Sequence, residues 1–169
     1  ENVYFTGRAP TGEIGVFKVA TTGGSVSQVA VSGLSDPSGI AIASNLDLFV
    51  VDTVGSGNGL AAIKQIASGG STASTLTPNL HVGYPAGIAI SEDDGKLYVS
   101  GLDPATLTDV VLFVDAASGE VIDSYLGDDD TSFGDFQEAA GLHRAKNTSV
   151  FSFVDSKTGP EGTVFVIQQ

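Results

Sequence analysis

An acidic loop near residue 130 carries the sharpest concentration of metal-binding side chains in the sequence. It reads Gly127-Asp-Asp-Asp-Thr-Ser-Phe-Gly-Asp135, and its candidate oxygen ligands are Asp128, Asp130, Ser132 and Asp135. Closely spaced oxygen ligands on a glycine-bearing loop suit a hard cation such as Ca²⁺, although this loop lacks the closing Glu of a twelve-residue EF-hand. The simpler interpretation is a solvated acidic connection between strands. The functional prediction is a Ca²⁺ site formed by these four residues.

Further carboxylates stand at the ends of apolar segments. Asp52, Asp103 and Asp155 each close a stretch that is typical of a β-strand. If these strand ends met at one mouth of the fold, their carboxylates would form a ring able to hold a metal ion. Asp36 directly precedes Pro37, and an Asp in this position commonly caps its own turn.

The two histidines are the remaining candidates for acid–base or ligand chemistry. His81 lies on a loop, whereas His143 lies on a predicted strand beside Arg144. A histidine titrates near neutral pH and serves as a base or a metal ligand, but a lone histidine is more often structural. The sequence has no cysteine, no His-x-x-x-His pair and no Ser/His/Asp order, so no thiolate site or catalytic triad is indicated.

Composition limits the class of protein that can position these residues. The 169 residues are enough for one domain with a sizeable core, and no apolar run approaches the length of a membrane span. Twenty acidic against seven basic residues give a net charge of −13, which opposes binding to nucleic acid or to an anionic membrane. Abundant Ser, Thr and Gly with no cysteine favour an exported protein, extracellular or periplasmic.

A repeated segment organises the chain. Tyr84-Pro-Ala-Gly-Ile-Ala-Ile leads through an acidic turn into Lys96-Leu-Tyr-Val-Ser, and the same pattern begins at Asp36 and, more weakly, at Glu138. Matched aromatic positions at Tyr4, Phe49, Tyr98 and Phe151 are 45, 49 and 53 residues apart. Periods of this length built from short strands are typical of β-propeller blades, which bury their faces only by stacking around an axis.

The second repeat resembles a known family. Pro85-Ala-Gly-Ile-Ala-Ile-Ser-Glu-Asp-Asp-Gly-Lys-Leu-Tyr-Val-Ser, with Val111-Leu-Phe-Val-Asp farther on, is similar to the YVTN/NHL-type β-propeller repeats, and Ser132–Leu142 resembles the lead-in of an NHL repeat. The resemblance implies that Gly-Ile-Ala-Ile is the innermost strand of a blade and Leu-Tyr-Val-Ser the second. Gly39 and Gly87 would then leave room for neighbouring blades near the axis.

The expected fold is therefore all-β, with four-stranded antiparallel blades, about 3.5 of them in a single domain spanning residues 1–169. The approximate repeat units are 1–38, 39–85, 86–138 and 139–169. In this interpretation no inner strand precedes Val3, and the blades contribute 3, 4, 4 and 3 strands. Such an arc leaves bare edges. It belongs to a larger propeller, is completed by other chains or copies, or is a four-bladed propeller with imperfect ends.

Two functions follow from this pattern. The first is a non-catalytic extracellular or periplasmic module that binds a protein partner, or other copies of itself, through its open blades. The alternative is a metal-dependent lactonase- or esterase-like propeller, or a propeller segment of a larger enzyme. In the hydrolase, Asp36, Glu138 and His143 would be candidate ligands near the inner strands. Neither nucleic acid nor membrane insertion is expected.

Overall fold

The computed structural model describes residues 1–83, 86–125, 136, 139–155 and 162–168. Over these residues the chain forms fourteen β-strands and no helix. Their bounds are β1 Asn2–Arg8, β2 Ile14–Ala20, β3 Ser27–Ala30, β4 Pro37–Ile42, β5 Leu48–Asp52, β6 Ala61–Ile66, β7 Ser74–Leu80, β8 Gly87–Ile90, β9 Lys96–Leu102, β10 Asp109–Asp115, β11 Val121–Tyr125, β12 Ala139–Arg144, β13 Val150–Asp155 and β14 Thr163–Gln168. The all-β prediction is confirmed.

The strands form four antiparallel sheets in chain order. The sheets are β1–β3, β4–β7, β8–β11 and β12–β14, with three, four, four and three strands. Within each sheet every strand pairs with the strand that follows it, so each sheet is an antiparallel meander. These sheets are the blades of a partial β-propeller of about 3.5 blades, as the repeat predicts, and they are called the first to fourth blades below.

Four inner strands gather around one axis. β1 contacts β4, β4 contacts β8, and β8 contacts β12. Glycine permits the close approach, because a Cβ added at Gly39 would lie 2.9 Å from the Ala86 carbonyl oxygen, and one added at Gly87 would lie 2.5 Å from the Leu142 nitrogen. The predicted role of these two glycines is therefore confirmed.

The first blade differs from the prediction in its strand positions. The sequence aligned Tyr4 with second strands, but β1 is an inner strand: it packs beside β4, and the Thr6 hydroxyl donates a hydrogen bond to the Ser38 carbonyl oxygen. The first blade therefore lacks an outermost strand rather than an inner one. Its third strand, β3, leads directly to the inner strand of the second blade.

Three hydrophobic clusters fill the spaces between consecutive blades. The cluster between the first and second blades includes Val16, Leu48 and Ile66. The cluster between the second and third blades is the largest, with Phe49, Ile63 and Val99 among its members. The third cluster joins Tyr98 and Val111 to Phe151 and Phe153 of the fourth blade. Packing between blades therefore supplies the core.

The fourth blade is shifted by one residue relative to the predicted repeat. Phe49 and Tyr98 both point toward the following blade, but Phe151 points back toward the third blade, with its ring centre 4.0 Å from that of Tyr98. Since successive side chains of a strand alternate between faces, the structural equivalent of Tyr98 in the fourth blade is Ser152.

Candidate functional site

An open cleft lies along the axis. It encloses about 490 Å³ between the four inner strands and continues into a smaller cleft of about 180 Å³ that reaches Arg144. The lining of the larger cleft is Tyr4–Thr6 from β1, Pro37–Ile40 from β4, Ala86–Ile88 from β8 and its preceding residue, and Gly141–His143 from β12.

The chemistry of this axial cleft is limited. His143 is exposed in it, and no Asp or Glu stands among its lining residues. Arg144 is partly buried and donates a hydrogen bond to the Thr148 carbonyl oxygen at 3.2 Å, across the hairpin that follows β12. The described residues of the two clefts therefore offer one imidazole, one guanidinium, the hydroxyl groups of Tyr4, Thr6 and Ser38, and backbone groups, which suit hydrogen bonding to a ligand.

Asp52 has a structural task. Its side chain is fully buried, and its two carboxylate oxygens accept hydrogen bonds from the backbone N–H groups of Ser35 at 2.9 Å and Asp36 at 2.6 Å. The Asp36 carboxylate in turn accepts a hydrogen bond from the Thr53 hydroxyl at 3.0 Å. Asp52 therefore fixes the turn that leads into β4, a role that the sequence assigned to Asp36.

The predicted carboxylate ring is wrong. Asp103 accepts hydrogen bonds from the Ala105 backbone N–H and lies 3.3 Å from His81, while Asp155 is fully buried in its own blade. Within the described part of the chain, no three His, Asp or Glu side chains are close enough to share a metal ion. The ring is therefore not formed, whereas the ligand set of Asp36, Glu138 and His143 includes a residue outside the described part of the chain and stays a prediction.

The predicted Ca²⁺ loop lies outside the described residues. Asp128, Asp130, Ser132 and Asp135 belong to the stretch 126–135, and Glu138 is likewise not described. The Ca²⁺ site stays a prediction from the sequence.

Two hairpin turns hold ionised carboxylates in defined hydrogen bonds. The Ser91 hydroxyl donates to Asp93 at 2.6 Å and, with the Gly95 backbone N–H, holds the pKa of Asp93 below its usual value. The backbone N–H and hydroxyl of Ser118 lower the pKa of Asp115 in the same way. Asp94 has a φ of 59°, and the acidic turn that the sequence indicated before Lys96 is confirmed.

A larger cavity of about 710 Å³ lies between the outer strands β11 and β14. Its walls combine aromatic residues with polar and aliphatic ones, Val164 and Val166 included, and Phe136 meets Phe153 and Phe165 edge to face at ring-centre distances of 4.9 and 5.0 Å. These rings belong to the cluster that joins the third and fourth blades. The cavity is therefore part of blade packing, where the blades diverge away from the axis.

The two end blades expose apolar faces that the sequence did not single out. The first-blade face consists of Val3, Phe5, Phe17 and Val19, which pair across β1 and β2 and point away from the second blade. The fourth-blade face consists of Ser152, Val154, Val164 and Val166, which pair across β13 and β14. In the first-blade face Val3 is 50% and Phe5 37% exposed, whereas Phe17 is buried at 7%. In the fourth-blade face Val164 and Val166 are each 65% exposed.

Comparison with known structures supports the fold. Comparisons with family models and with curated proteins find no match. A chain of a nidogen/laminin complex is 17% identical with a TM-score of 0.65, and 99% of this chain aligns with 60% of that one. A putative TolB from Agrobacterium tumefaciens is 17% identical with a TM-score of 0.65, and 99% of this chain aligns with 58% of that one. A gluconolactonase from Xanthomonas campestris is 16% identical with a TM-score of 0.61, and 98% of this chain aligns with 52% of that one.

These neighbours are propeller-type proteins, so the β-propeller prediction is confirmed, while membership of the YVTN/NHL family stays a prediction. The chain spans about three fifths or less of each neighbour's length. Likeness at this level of identity shows the fold alone, since one propeller fold serves enzymes and binding proteins alike. Among the described residues there is no helix long and apolar enough to cross a membrane.

Proposed function

We propose that this chain is a non-catalytic protein-binding or assembly module of the extracellular space or periplasm. The observation that carries the proposal is the pair of exposed apolar faces on the end blades. In the interior of the arc, every equivalent face is covered by a neighbouring blade. Exposed apolar patches of this kind mark interaction sites in soluble proteins.

The charge distribution supports the same function. The chain has twenty acidic residues, yet none of the residues that form the first-blade face or the fourth-blade face is an Asp or Glu. Depletion of charge at the centre of a patch is typical of protein–protein interfaces. The neighbour taken from a nidogen/laminin complex belongs to a protein assembly, which agrees with a propeller acting as a binding module.

The proposal is tested by capture on an immobilised chain from an extracellular or periplasmic extract of the source organism. The same partner should be retained by the wild type and by Val121→Lys, which changes an exposed valine on β11. It should be lost from the double variant Val164→Lys and Val166→Lys. Capture that is equal on all three chains would contradict binding through the fourth-blade face.

A hydrolase is the second candidate, because His143 lies in the axial cleft and a gluconolactonase is among the structural neighbours. The predicted Ca²⁺ loop at Asp128, Asp130, Ser132 and Asp135 would supply a metal for such an enzyme or a purely structural ion. Calorimetric titration with Ca²⁺ should show binding that Asp128→Asn together with Asp130→Asn removes. If the chain hydrolyses lactones or aryl esters and His143→Ala abolishes that activity, the result would support the enzymatic function in place of the binding function.

A further inference from the structure

The loop between β5 and β6, residues 53–60, contains a reactive pair, Asn58 and Gly59. This is the one place in the sequence where a glycine follows an asparagine. The other four asparagines precede valine, leucine or threonine, and they are Asn2, Asn45, Asn79 and Asn147. Asn58 and Gly59 are both exposed, and a Cβ added at Gly59 would meet no atom within 4 Å. The peptide nitrogen of Gly59 therefore has no side chain beside it and is open to water.

Hydrogen bonds hold the Asn58 side chain at both of its polar atoms. The Oδ1 atom accepts a hydrogen bond from the Leu60 backbone N–H at 3.1 Å, and the Nδ2 atom donates one to the Asn79 Oδ1 at 2.9 Å, near the end of β7. The first bond spans Gly59, so it keeps the side-chain carbonyl group close to the Gly59 nitrogen. It also polarises that carbonyl toward attack, as a donor in an oxyanion hole does.

We propose that Asn58 is a site of self-modification, at which the folded chain deamidates. The Gly59 nitrogen loses its proton to hydroxide and attacks the Asn58 Cγ. The new bond closes a succinimide ring, and the Cγ–Nδ2 bond breaks with release of ammonia, which takes a proton from water. Water then opens the ring at either carbonyl carbon. Attack at Cγ gives aspartate, and attack at the Asn58 backbone carbonyl carbon gives isoaspartate, so the net reaction replaces NH₂ by OH.

Asn45 provides an internal comparison for this site. Its Oδ1 accepts a hydrogen bond from the Asp47 backbone N–H at 2.9 Å, which is the same turn that Asn58 makes with Leu60. Asn45 is exposed as well, but the residue after it is Leu46. The Cβ and branched side chain of a leucine crowd the attacking nitrogen, whereas a glycine does not. The two asparagines share the turn and differ in the attacking residue, so Asn58 reacts and Asn45 does not.

Deamidation changes how the 53–60 loop is attached to β7. The hydrogen bond between Asn58 and Asn79 is one attachment, and the Asn79 backbone N–H, which donates to the Ser56 hydroxyl at 2.8 Å, is another. Both products replace the Nδ2 donor by a carboxylate, which only accepts hydrogen bonds and adds one negative charge to the −13 of the chain. An aspartate regains the contact when the Asn79 amide turns to present its NH₂ group. An isoaspartate loses it, because its carboxylate is attached directly to Cα, and the loop is loosened.

The test is incubation of the folded 169-residue chain in mildly alkaline buffer, followed by peptide mapping in a mass spectrometer. Asn58 should convert at least about tenfold faster than Asn45, which corresponds to a barrier lower by about 1.4 kcal/mol. Asn58→Gln should remove the reaction at this position, since its ring would be one atom larger, and Gly59→Ala should slow it. Conversion should become faster as the pH rises, because hydroxide removes the proton from the Gly59 nitrogen. Thermal melts show whether Gly59→Ala, at a φ of 84°, is folded, and Asn58→Gln tests the site without a change in the backbone.

An Asn58 that stays intact in the folded chain but converts in urea would overturn the proposal, because the fold would then protect the site. Equal conversion of Asn58 and Asn45 would overturn it as well. Amide hydrogen exchange measures the effect on the 53–60 loop, which should exchange faster in chains that contain isoaspartate. A fresh Asn58→Asp variant is the matched control and should exchange as the unconverted wild type does. Unchanged exchange in the isoaspartate chains would show that the loop remains attached and would overturn its loosening.

Discussion

At the scale of single residues, buried carboxylates in this molecule hold turns. Asp52 has no exposed surface, and its oxygens satisfy the backbone N–H groups of Ser35 and Asp36 just before the inner strand β4. A backbone donor that loses its partner on burial costs free energy, since water cannot replace the bond. The residue that resembled a metal ligand is therefore a component of the blade.

Replacement of Asp52 by Ala should lower the free energy of unfolding by about 3 kcal/mol, because two N–H groups lose a charged acceptor. Urea denaturation monitored by circular dichroism measures the change. Glu120→Ala, which removes an exposed carboxylate beside β11, is the control and should alter stability by less than about 0.5 kcal/mol. Equal effects of the two substitutions would show that the hydrogen bonds of Asp52 contribute nothing to stability.

Asp93 provides a pH-dependent prediction. The Ser91 hydroxyl and the Gly95 N–H lower the pKa of Asp93, so the folded protein binds its proton less tightly than the unfolded chain. The stabilisation from Asp93 is complete above the ordinary carboxyl pKa and is lost as the pH falls through the lowered value. Ser91→Ala should therefore raise the pKa of Asp93 in an NMR titration of the carboxyl carbon.

Asp115 is an internal control in the same titration. Its pKa is lowered by Ser118, in a different hairpin turn, and should not respond to the substitution at Ser91. An Asp93 pKa that is unchanged in Ser91→Ala would mean that the Ser91 hydroxyl is not the main stabiliser of the carboxylate.

At the scale of elements, the approach of the inner strands depends on glycine. A Cβ at Gly87 would meet the Leu142 nitrogen at 2.5 Å, and a Cβ at Gly39 would meet backbone atoms of Ala86 and Ile88 at 2.9 Å. Backbone at these distances cannot yield as a flexible side chain does, so neighbouring blades would have to move apart. Overpacking of this kind typically costs about 1–3 kcal/mol.

We expect Gly39→Ala and Gly87→Ala each to lower the free energy of unfolding by about 2 kcal/mol. Gly7→Ala is the matched control, since Gly7 lies on the inner strand β1 but a Cβ there would meet no atom within 4 Å. Denaturation curves of the three variants measure the difference. A destabilisation by Gly7→Ala as large as that by Gly87→Ala would indicate that strand propensity, rather than contact between blades, explains the glycines.

The sequence predicted those elements whose signal is local. Alternating apolar segments were sufficient to predict fourteen strands, and the resemblance to YVTN/NHL-type repeats implied the inner position of β4 and β8. Tyr4 and Phe151 were misassigned for a physical reason. Both faces of a blade are buried, so an apolar pattern does not show which face a residue occupies or whether a strand is the first or second from the axis. Contacts between blades decide both.

The candidate site was less predictable than the fold. An aspartate at the end of a strand can point into a central channel or back toward the preceding turn, and its sequence context is the same in both cases. For Asp52, the backbone N–H groups of the turn decide the direction. The exposure of Val164 and Val166 could not be predicted for a similar reason. The segment Thr163-Val-Phe-Val-Ile also fits a strand that is covered on both sides.

At the scale of the whole molecule, net charge and exposed apolar surface act in opposite directions. The charge of −13 at pH 7 makes copies of the chain repel each other, whereas the exposed apolar residues of the first-blade and fourth-blade faces favour contact between copies. The isoelectric point of about 4.1 is the pH at which the repulsion disappears. Proteins near zero net charge associate most readily, and the apolar faces give this chain a specific place at which to do so.

We therefore expect light scattering by the wild-type chain to rise steeply as the pH approaches 4.1. Val164→Ser combined with Val166→Ser leaves every charge in place and removes apolar surface from the fourth-blade face, so its scattering at the same pH should be clearly lower. Val121→Ser, on β11, changes an exposed valine outside either face and should behave as the wild type does. If all three chains scattered alike, the loss of charge repulsion alone would explain the association, and the fourth-blade face would not contribute to it.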